Sequence, residues 1–498
     1  MSIGDGKTVT IVGAGLAGSL LACYLAKQGF AVTVYERRPD PRAAGYVGGR
    51  SINLALSARG LWGLQGIGLD QEILKHAIKM KGRMIHPVSL PPEGGDLAFQ
   101  AYSHDPREGI NSISRGGLNL ALIEAAAKYE NVRLVFDHRC LDIDPDACTA
   151  TFQHEETRVM GEGPMVTVEC DLIIGADGAF SPVRGRLQKM DRFEYSQTYL
   201  THGYKELHIP ARADGGGKWG GFALEPNSLH IWPRGSAMMI ALPNPDKSFT
   251  CTLFWPFEGE HSFANLKTES DVLAFFKKHY PDAVPLMPTL VEDFLRNPNG
   301  SLVTVRCWPW VYNAKGGRAV AMAGDASHAI VPFFGQGINA GFEDVRIMAE
   351  CFERHAGRGG AGGGWMQAAL DEYQNLRKPN ADAIARMAID NFVEMRDKVG
   401  SPVFRWKKKL EHFLHDLFPG TLVPRYNLVS FTTVPYMEAL RKGTRIDRVL
   451  RALAVCGVIM VAVALVAMRV PWWFVLIGVI VAAGLLWDRW RTREDTTV

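Results

Sequence analysis

Hydrophobic positions along the chain switch between a strand period and a helix period. Val9–Val12 is a β-branched apolar run that predicts a buried strand, Ser19–Lys27 has helical spacing, and Ala31–Tyr35 predicts a second strand. The pattern then predicts a helix around Leu61–Leu69 and a strand over Lys81–His86, with Phe99–Tyr102 as its hairpin partner across a Pro91–Asp96 turn. An amphipathic helix over Leu118–Lys128 and a strand over Val132–Phe136 follow. Cys148–Phe152 and Met165–Cys170 read as an antiparallel pair, and Leu172–Ile174 as a buried strand. Tyr195–Val305 changes character, because Ser228–Trp232, Ala237–Leu242 and Thr250–Trp255 alternate as strands of an antiparallel sheet do. Ala319–Ala323 is another buried strand, a helix begins at Ala340, and Gly357–Gly364 is a Gly-rich connection. Gln367–Arg396 is a long helical pattern, with further helices over Phe404–Leu417 and Pro435–Leu453. The expected fold class is α/β: a Rossmann-type dinucleotide-binding domain interleaved with an antiparallel-sheet domain, followed by C-terminal helices. The boundaries read as 1–194, 195–305, a return over 306–396, closing helices over 397–448 and a terminal segment over 449–498.

Three strand-to-turn junctions carry the chemistry. Between the first strand and helix stand Gly13, Gly15 and Gly18, a G-x-G-x-x-G turn with Leu16 and Ala17 inside it. Gly13 permits the tight turn, Gly15 lets the backbone approach a pyrophosphate, and Gly18 allows close helix packing. Glu36 follows at the end of the second strand, where a carboxylate accepts hydrogen bonds from a ribose. The motif alone leaves NAD and FAD both open. Asp177-Gly178 ends the Leu172–Ile174 strand, and Ser181 opens a helix behind it. Gly324-Asp325 ends the Ala319–Ala323 strand, and Gly335–Asn339 offers backbone N–H groups at a helix start. His328 in this stretch reads as a structural histidine.

Composition narrows the picture. Net charge is +3 over 498 residues, with no basic stripe that would suggest nucleic acid. Eight cysteines lie scattered without a C-x-x-C pair, which points to reduced thiols. His412 and His415 share a helix face, but no carboxylate or cysteine completes a metal site. The C-terminus carries two apolar runs, Ala452–Met468 and Val470–Trp487, flanked by Arg441, Lys442, Arg445, Arg448 and Arg451 before and Arg489, Arg491 and Arg493 after. These predict a transmembrane helical hairpin with both ends cytoplasmic, hence a lipid bilayer as partner and a membrane-anchored location, bacterial inner or mitochondrial outer.

The order of the three junctions resembles that of the single-component FAD-dependent aromatic hydroxylases of the para-hydroxybenzoate hydroxylase fold. Lys81-Gly-Arg83-Met-Ile-His86, Ser112-Ile-Ser-Arg115, His202-Gly-Tyr-Lys-Glu-Leu207, Leu229-His-Ile-Trp-Pro-Arg234, Val331-Pro-Phe-Phe-Gly-Gln-Gly337, Arg377-Lys-Pro-Asn-Ala-Asp382 and Asn391-Phe-Val-Glu-Met-Arg396 narrow it to the kynurenine 3-monooxygenase family. The resemblance spans nearly the whole chain before the apolar runs. It implies hydroxylation of L-kynurenine to 3-hydroxykynurenine with FAD as cofactor and NADPH and O2 as co-substrates, through a flavin C4a-hydroperoxide. A related hydroxylase for another aromatic acid, or an anchored FAD-binding protein without turnover, stays open as an alternative.

By the same resemblance, Arg83 pairs with the substrate carboxylate, and Tyr102, Asn391, Met395 and Tyr426 are further substrate contacts. Leu229, Ile240, Leu242, Phe254, Pro332 and Phe333 form the apolar wall around the ring. The cofactor set is Gly13, Gly15, Leu16, Ala17, Gly18, Glu36, Arg37, Ala55, Arg115, Asp177, Asp325, Gly335, Gly337, Ile338 and Asn339. No residue is nominated as a catalytic acid or base, and none as a metal ligand.

Overall fold

A computed structural model describes residues 3–44, 53–92, 94–95, 97–155, 163–356, 364–395, 410 and 422–467. The chain divides into two units, Met1–Leu410 with Tyr426–Met437, and Glu411–Arg425 with Glu438–Val498. The Gly357–Gly364 connection up to Gly363, the helix expected over Phe404–Leu417 with His412 and His415, apart from Leu410, and the run Val470–Trp487 lie outside the described residues.

The first unit is built on a six-stranded sheet. Thr8–Val12 lies between Ala31–Tyr35 and Leu172–Gly175, both parallel to it. Ala319–Met322 continues the sheet beyond Leu172–Gly175, so all three predicted junctions emerge from the carboxyl ends of adjacent parallel strands. In open α/β sheets that edge is where ligands bind. Burial on both faces explains the apolar runs, since Ile11, Ile173, Ile174, Val320 and Ala321 are fully enclosed.

A seven-stranded sheet carries the alternating region. Its register sets Leu229 beside Arg83, because Ser228–Arg234 runs parallel to Gly82–Ile85. The Lys81–His86 hairpin therefore forms the edge of this second sheet, joining segments about 145 residues apart. One face, with Leu229, Ile240, Leu242 and Phe254, looks toward the cavity described below. The other face, with Trp232, Met239, Leu253 and Trp255, packs on Phe275, Phe276 and Phe294. Those rings come from the helices Glu269–His279 and Leu290–Arg296, which the strand reading of Tyr195–Val305 did not anticipate. The local signal was present: Thr268 and Asp271 form a reciprocal capping box ahead of Val272, Phe275 and Phe276. On this outer side His86 joins Asp282 (2.7 Å) and His230 (2.9 Å) in a buried polar chain, and the Trp232 indole N–H donates to Asp282.

The membrane expectation is corrected here. Among the described residues, no helix is long and apolar enough to cross a membrane. Ala452–Met468 is not the first arm of a separate hairpin up to its last described residue. It continues a helix, Tyr436–Ala467, whose first half carries Arg441, Lys442, Arg445, Arg448 and Arg451. A bilayer crossing needs about 20 consecutive apolar residues, and charge every third or fourth position shortens the apolar part below that. The helical hairpin, the lipid-bilayer partner and the membrane-anchored location are withdrawn with it.

Candidate active site

One cavity of ≈ 810 Å³ collects the carboxyl ends of the six-stranded sheet and the inner face of the seven-stranded one. Its dinucleotide end is shaped by backbone. Gly13 has φ +101°, and a Cβ on Gly18 would lie 1.9 Å from the Gly13 carbonyl oxygen, so the turn closes only with glycine there. Gly15 faces open space. Glu36 is held by two backbone donors, Ala14 N–H (2.9 Å) to one oxygen and Arg38 N–H (3.0 Å) to the other. Each carboxylate oxygen keeps a further lone pair for a ligand hydroxyl.

Midway along the cavity stand Asp177, Arg115 and Asp325. Burial pushes the Asp177 carboxyl up to about 6 against the pull of Ser181 and the Val183 N–H, and its Oδ1 has no hydrogen-bond partner among the described residues. Burial likewise raises Asp325, offset by Arg115 and His328. His328 lines no part of the cavity. It is buried against Trp310, and its Nε2 meets Asp344. Asp344 and Glu343 both pair with the buried Arg377, at 2.6 and 2.7 Å. This ionic cluster holds the Asp325–His328 turn against the helix Gly337–His355, and no motif in the sequence announced it.

The other end is a cage of side chains. The Arg83 guanidinium lies 4.9 Å from the Tyr426 ring centre and 5.6 Å from that of Tyr102. The two tyrosines stack at 5.2 Å, and Phe254 meets Phe333 at 4.9 Å. Burial would lower the Arg83 pKa, yet Tyr426, Tyr102 and Glu394 hold it above its ordinary value, so the group is a fixed cation. Arg83 Nε and the Tyr102 hydroxyl are buried without a hydrogen-bond partner among the described residues. Buried donors of this kind carry a desolvation cost that an anionic, hydrogen-bonding ligand relieves.

Gly13, Gly15, Leu16, Ala17, Glu36, Arg37, Ala55, Arg115, Asp177, Asp325, Gly335, Gly337 and Ile338 all line this cavity, as do Arg83, Tyr102, Leu229, Ile240, Leu242, Phe254, Pro332, Phe333, Met395 and Tyr426. Gly18, Asn339 and Asn391 stand behind its wall. The Asn339 side chain accepts from the Ser57 and Gly60 N–H groups and donates to the Ala55 and Gly335 carbonyls. Asn391 donates to the Phe333 carbonyl at 2.7 Å and touches the Met395 sulfur. Tyr204, Met238, Thr252 and Phe334 also line the cavity and were not singled out in the sequence. Strand alternation would have found two of them, Thr252 from Phe254 and Met238 from Ile240, each two residues away on the same strand.

The groups present fit a flavin dinucleotide: a glycine cradle that a Cβ would fill, the Glu36 carboxylate with lone pairs to spare, and an unpartnered Asp177 oxygen within one continuous cavity. A family model described as "FAD binding domain" matches residues 7–212. Among solved structures, the chain is similar to 2-methyl-3-hydroxypyridine-5-carboxylic acid oxygenase, at 20% identity and TM-score 0.60 over 80% of this chain and 94% of that one, which supports the fold. Kynurenine 3-monooxygenase of Myxococcus xanthus is 47% identical over 91% of this chain and 92% of its own length. That of Sus scrofa is 42% identical over 87% and 86%. With the cavity and its two ends in place, identity of this extent shows that the chain belongs to the kynurenine 3-monooxygenase family.

Proposed function

We propose that the protein hydroxylates L-kynurenine at ring position 3, with FAD bound in the cavity, NADPH as reductant and O2 as oxygen donor. The stoichiometry is L-kynurenine, NADPH, H⁺ and O2 to 3-hydroxykynurenine, NADP⁺ and water. The observation that carries the substrate assignment is Arg83, a buried cation beside two stacked tyrosine rings in the cavity wall.

Bound FAD supplies the activation of oxygen. The chain's own residues bind, orient and keep water out. Arg83 takes the amino-acid carboxylate, for which a planar guanidinium is suited to a two-pronged bond. The Tyr102 hydroxyl adds a polar contact beside it. Leu229, Ile240, Leu242, Phe254 and Phe333 hold the ring flat and dry, so that its carbon next to the amino group meets the flavin side. That amino group donates electrons into the ring and makes the neighbouring carbon the reactive one. Asn391 and Asn339 act one layer out, fixing the carbonyls of Phe333 and Gly335. Gly13, Gly15 and Glu36 would hold the pyrophosphate and ribose of the cofactor, and Arg115, Asp177 and Asp325 its middle. The design is one of positioning, and no side chain is assigned as acid or base.

The test is NADPH oxidation by the FAD-loaded protein with and without L-kynurenine, with 3-hydroxykynurenine measured by mass. Acceleration by another aromatic acid and not by L-kynurenine overturns the substrate assignment. Bound FAD with no turnover on any aromatic acid overturns the enzymatic reading.

A further inference from the structure

Tyr426 reaches the cavity from a short helix, Arg425–Phe431, beyond the last other wall residue, Met395. Such a helix leaves its last carbonyls without intrahelical partners. Thr432 closes one, donating from its hydroxyl to the Leu428 carbonyl at 2.6 Å. Arg59, a fully buried side chain from the helix Ala58–Gln65, closes the next: its Nε donates to the Val429 carbonyl at 3.3 Å. A second nitrogen of the same guanidinium donates to the Val434 carbonyl. The third pairs with Glu343 at 2.7 Å, and the plane lies 3.9 Å from the Tyr436 ring centre. Tyr436 in turn donates its hydroxyl to Gln336, at 2.8 Å, in the loop that lines the cavity between Gly335 and Gly337.

One guanidinium thus binds two carbonyls that follow Tyr426, one inside its helix and one just beyond it, and ties them to the helix that starts at the flavin-side loop. We propose that Arg59 is a positioning residue for hydroxylation, a clamp that seats Tyr426 and Phe431 against the substrate end through the Val429 and Val434 carbonyls. A guanidinium has the five donors and fixed geometry this needs, and an ammonium cannot span two carbonyls and a carboxylate at once. Arg59 lines no part of the cavity, so it acts only through the segment it holds. A loosened segment admits water to the substrate end, and reduced flavin enzymes then release hydrogen peroxide in place of hydroxylated product.

The kinetic half of this rests on the reading of the protein as a kynurenine hydroxylase, and the structural half does not. The experiment uses the FAD-loaded full chain with Arg59→Gln, Arg59→Lys and Tyr436→Phe. Hydrogen exchange over residues 426–436 is expected to quicken in Arg59→Gln with flavin content unchanged. The KM for L-kynurenine is expected to rise about tenfold, kcat to stay within about twofold, and the peroxide share of NADPH consumed to rise several-fold. Arg59→Lys and Tyr436→Phe are expected between wild type and Arg59→Gln. Unchanged exchange over 426–436 overturns the clamp, and so does loss of flavin in step with activity, which would make Arg59 a support of the cofactor site. Faster exchange in a protein whose wild type does not turn over L-kynurenine leaves the clamp standing and overturns the substrate assignment instead.

Discussion

The two ends of the cavity are made in opposite ways. The dinucleotide end is a local object: Gly13 to Gly18 and Glu36 lie within 24 residues, and their work is done by backbone and by the absence of side chains. The substrate end is assembled from Arg83, Tyr102, Leu229, Phe254, Phe333, Met395 and Tyr426, side chains spread over more than 340 residues. A backbone cradle tolerates almost no added atom but asks little of distant parts of the fold. A side-chain cage tolerates exchange of similar residues but depends on every element that presents one. Damage at the first end should therefore remove the cofactor, and damage at the second should spare it.

The largest effect tests that division directly. Gly18→Val puts carbon where the Gly13 carbonyl already sits, and the purified protein is expected to retain less than about a tenth of its flavin, read by absorbance. A flavin-replete Gly18→Val would break the comparison. Arg83→Met should do the reverse, leaving flavin content unchanged and raising the KM for L-kynurenine about a hundredfold, the loss of about 3 kcal/mol in charge-assisted hydrogen bonding.

The outer face of the substrate sheet sharpens the contrast, because it supports the cage without touching it. Burial holds the His230 imidazole at about 3, far below its ordinary 6.5, with neighbouring His86 adding to the effect. The unfolded chain takes up that proton first, so this part of the stability is full above the ordinary value and is lost as pH falls through it toward about 3. The expected loss is about 1.4 kcal/mol for each pH unit below the ordinary value. The melting temperature should fall on acidification below about pH 6.5, and His230→Gln should flatten that limb. Thr268→Ala, which opens the capping box of the helix Glu269–His279, should cost about 1 kcal/mol of stability and leave KM unchanged. A shift in KM from Thr268→Ala would show that cage and outer face are coupled.

Legibility in the sequence followed the same division. The glycine turn, Glu36, Asp177 and Asp325 were readable one motif at a time, because the strand-to-turn geometry that positions them is local. Strand alternation offered Leu229, Ile240, Leu242 and Phe254 as one wall of a pocket, while Arg83, Pro332 and Phe333 were nameable only through family resemblance. Their convergence depends on parallel pairing of Ser228–Arg234 with Gly82–Ile85, and no local pattern encodes a partner about 145 residues away. Asn339 was placed in the site by its position at a helix start and Asn391 by resemblance, and the structure sets both behind the wall as backbone supports. The C-terminal hairpin was read from two apolar runs and the basic residues that flank them. The described helix joins the first apolar run to a charged half, and a window that opens at Ala452 leaves that half out.

By itself the sequence determined the strand–turn–helix units, the dinucleotide end and the family, since each is carried by spacing within a short stretch or by many matched residues together. Only the tertiary structure decided that the hairpin at Arg83 joins the substrate sheet, that Arg377 and His328 share Asp344, and that Arg59 grips the segment bearing Tyr426. Those contacts are between groups whose sequence separation is arbitrary, and they come into being when burial leaves each charge or carbonyl one remaining partner within reach.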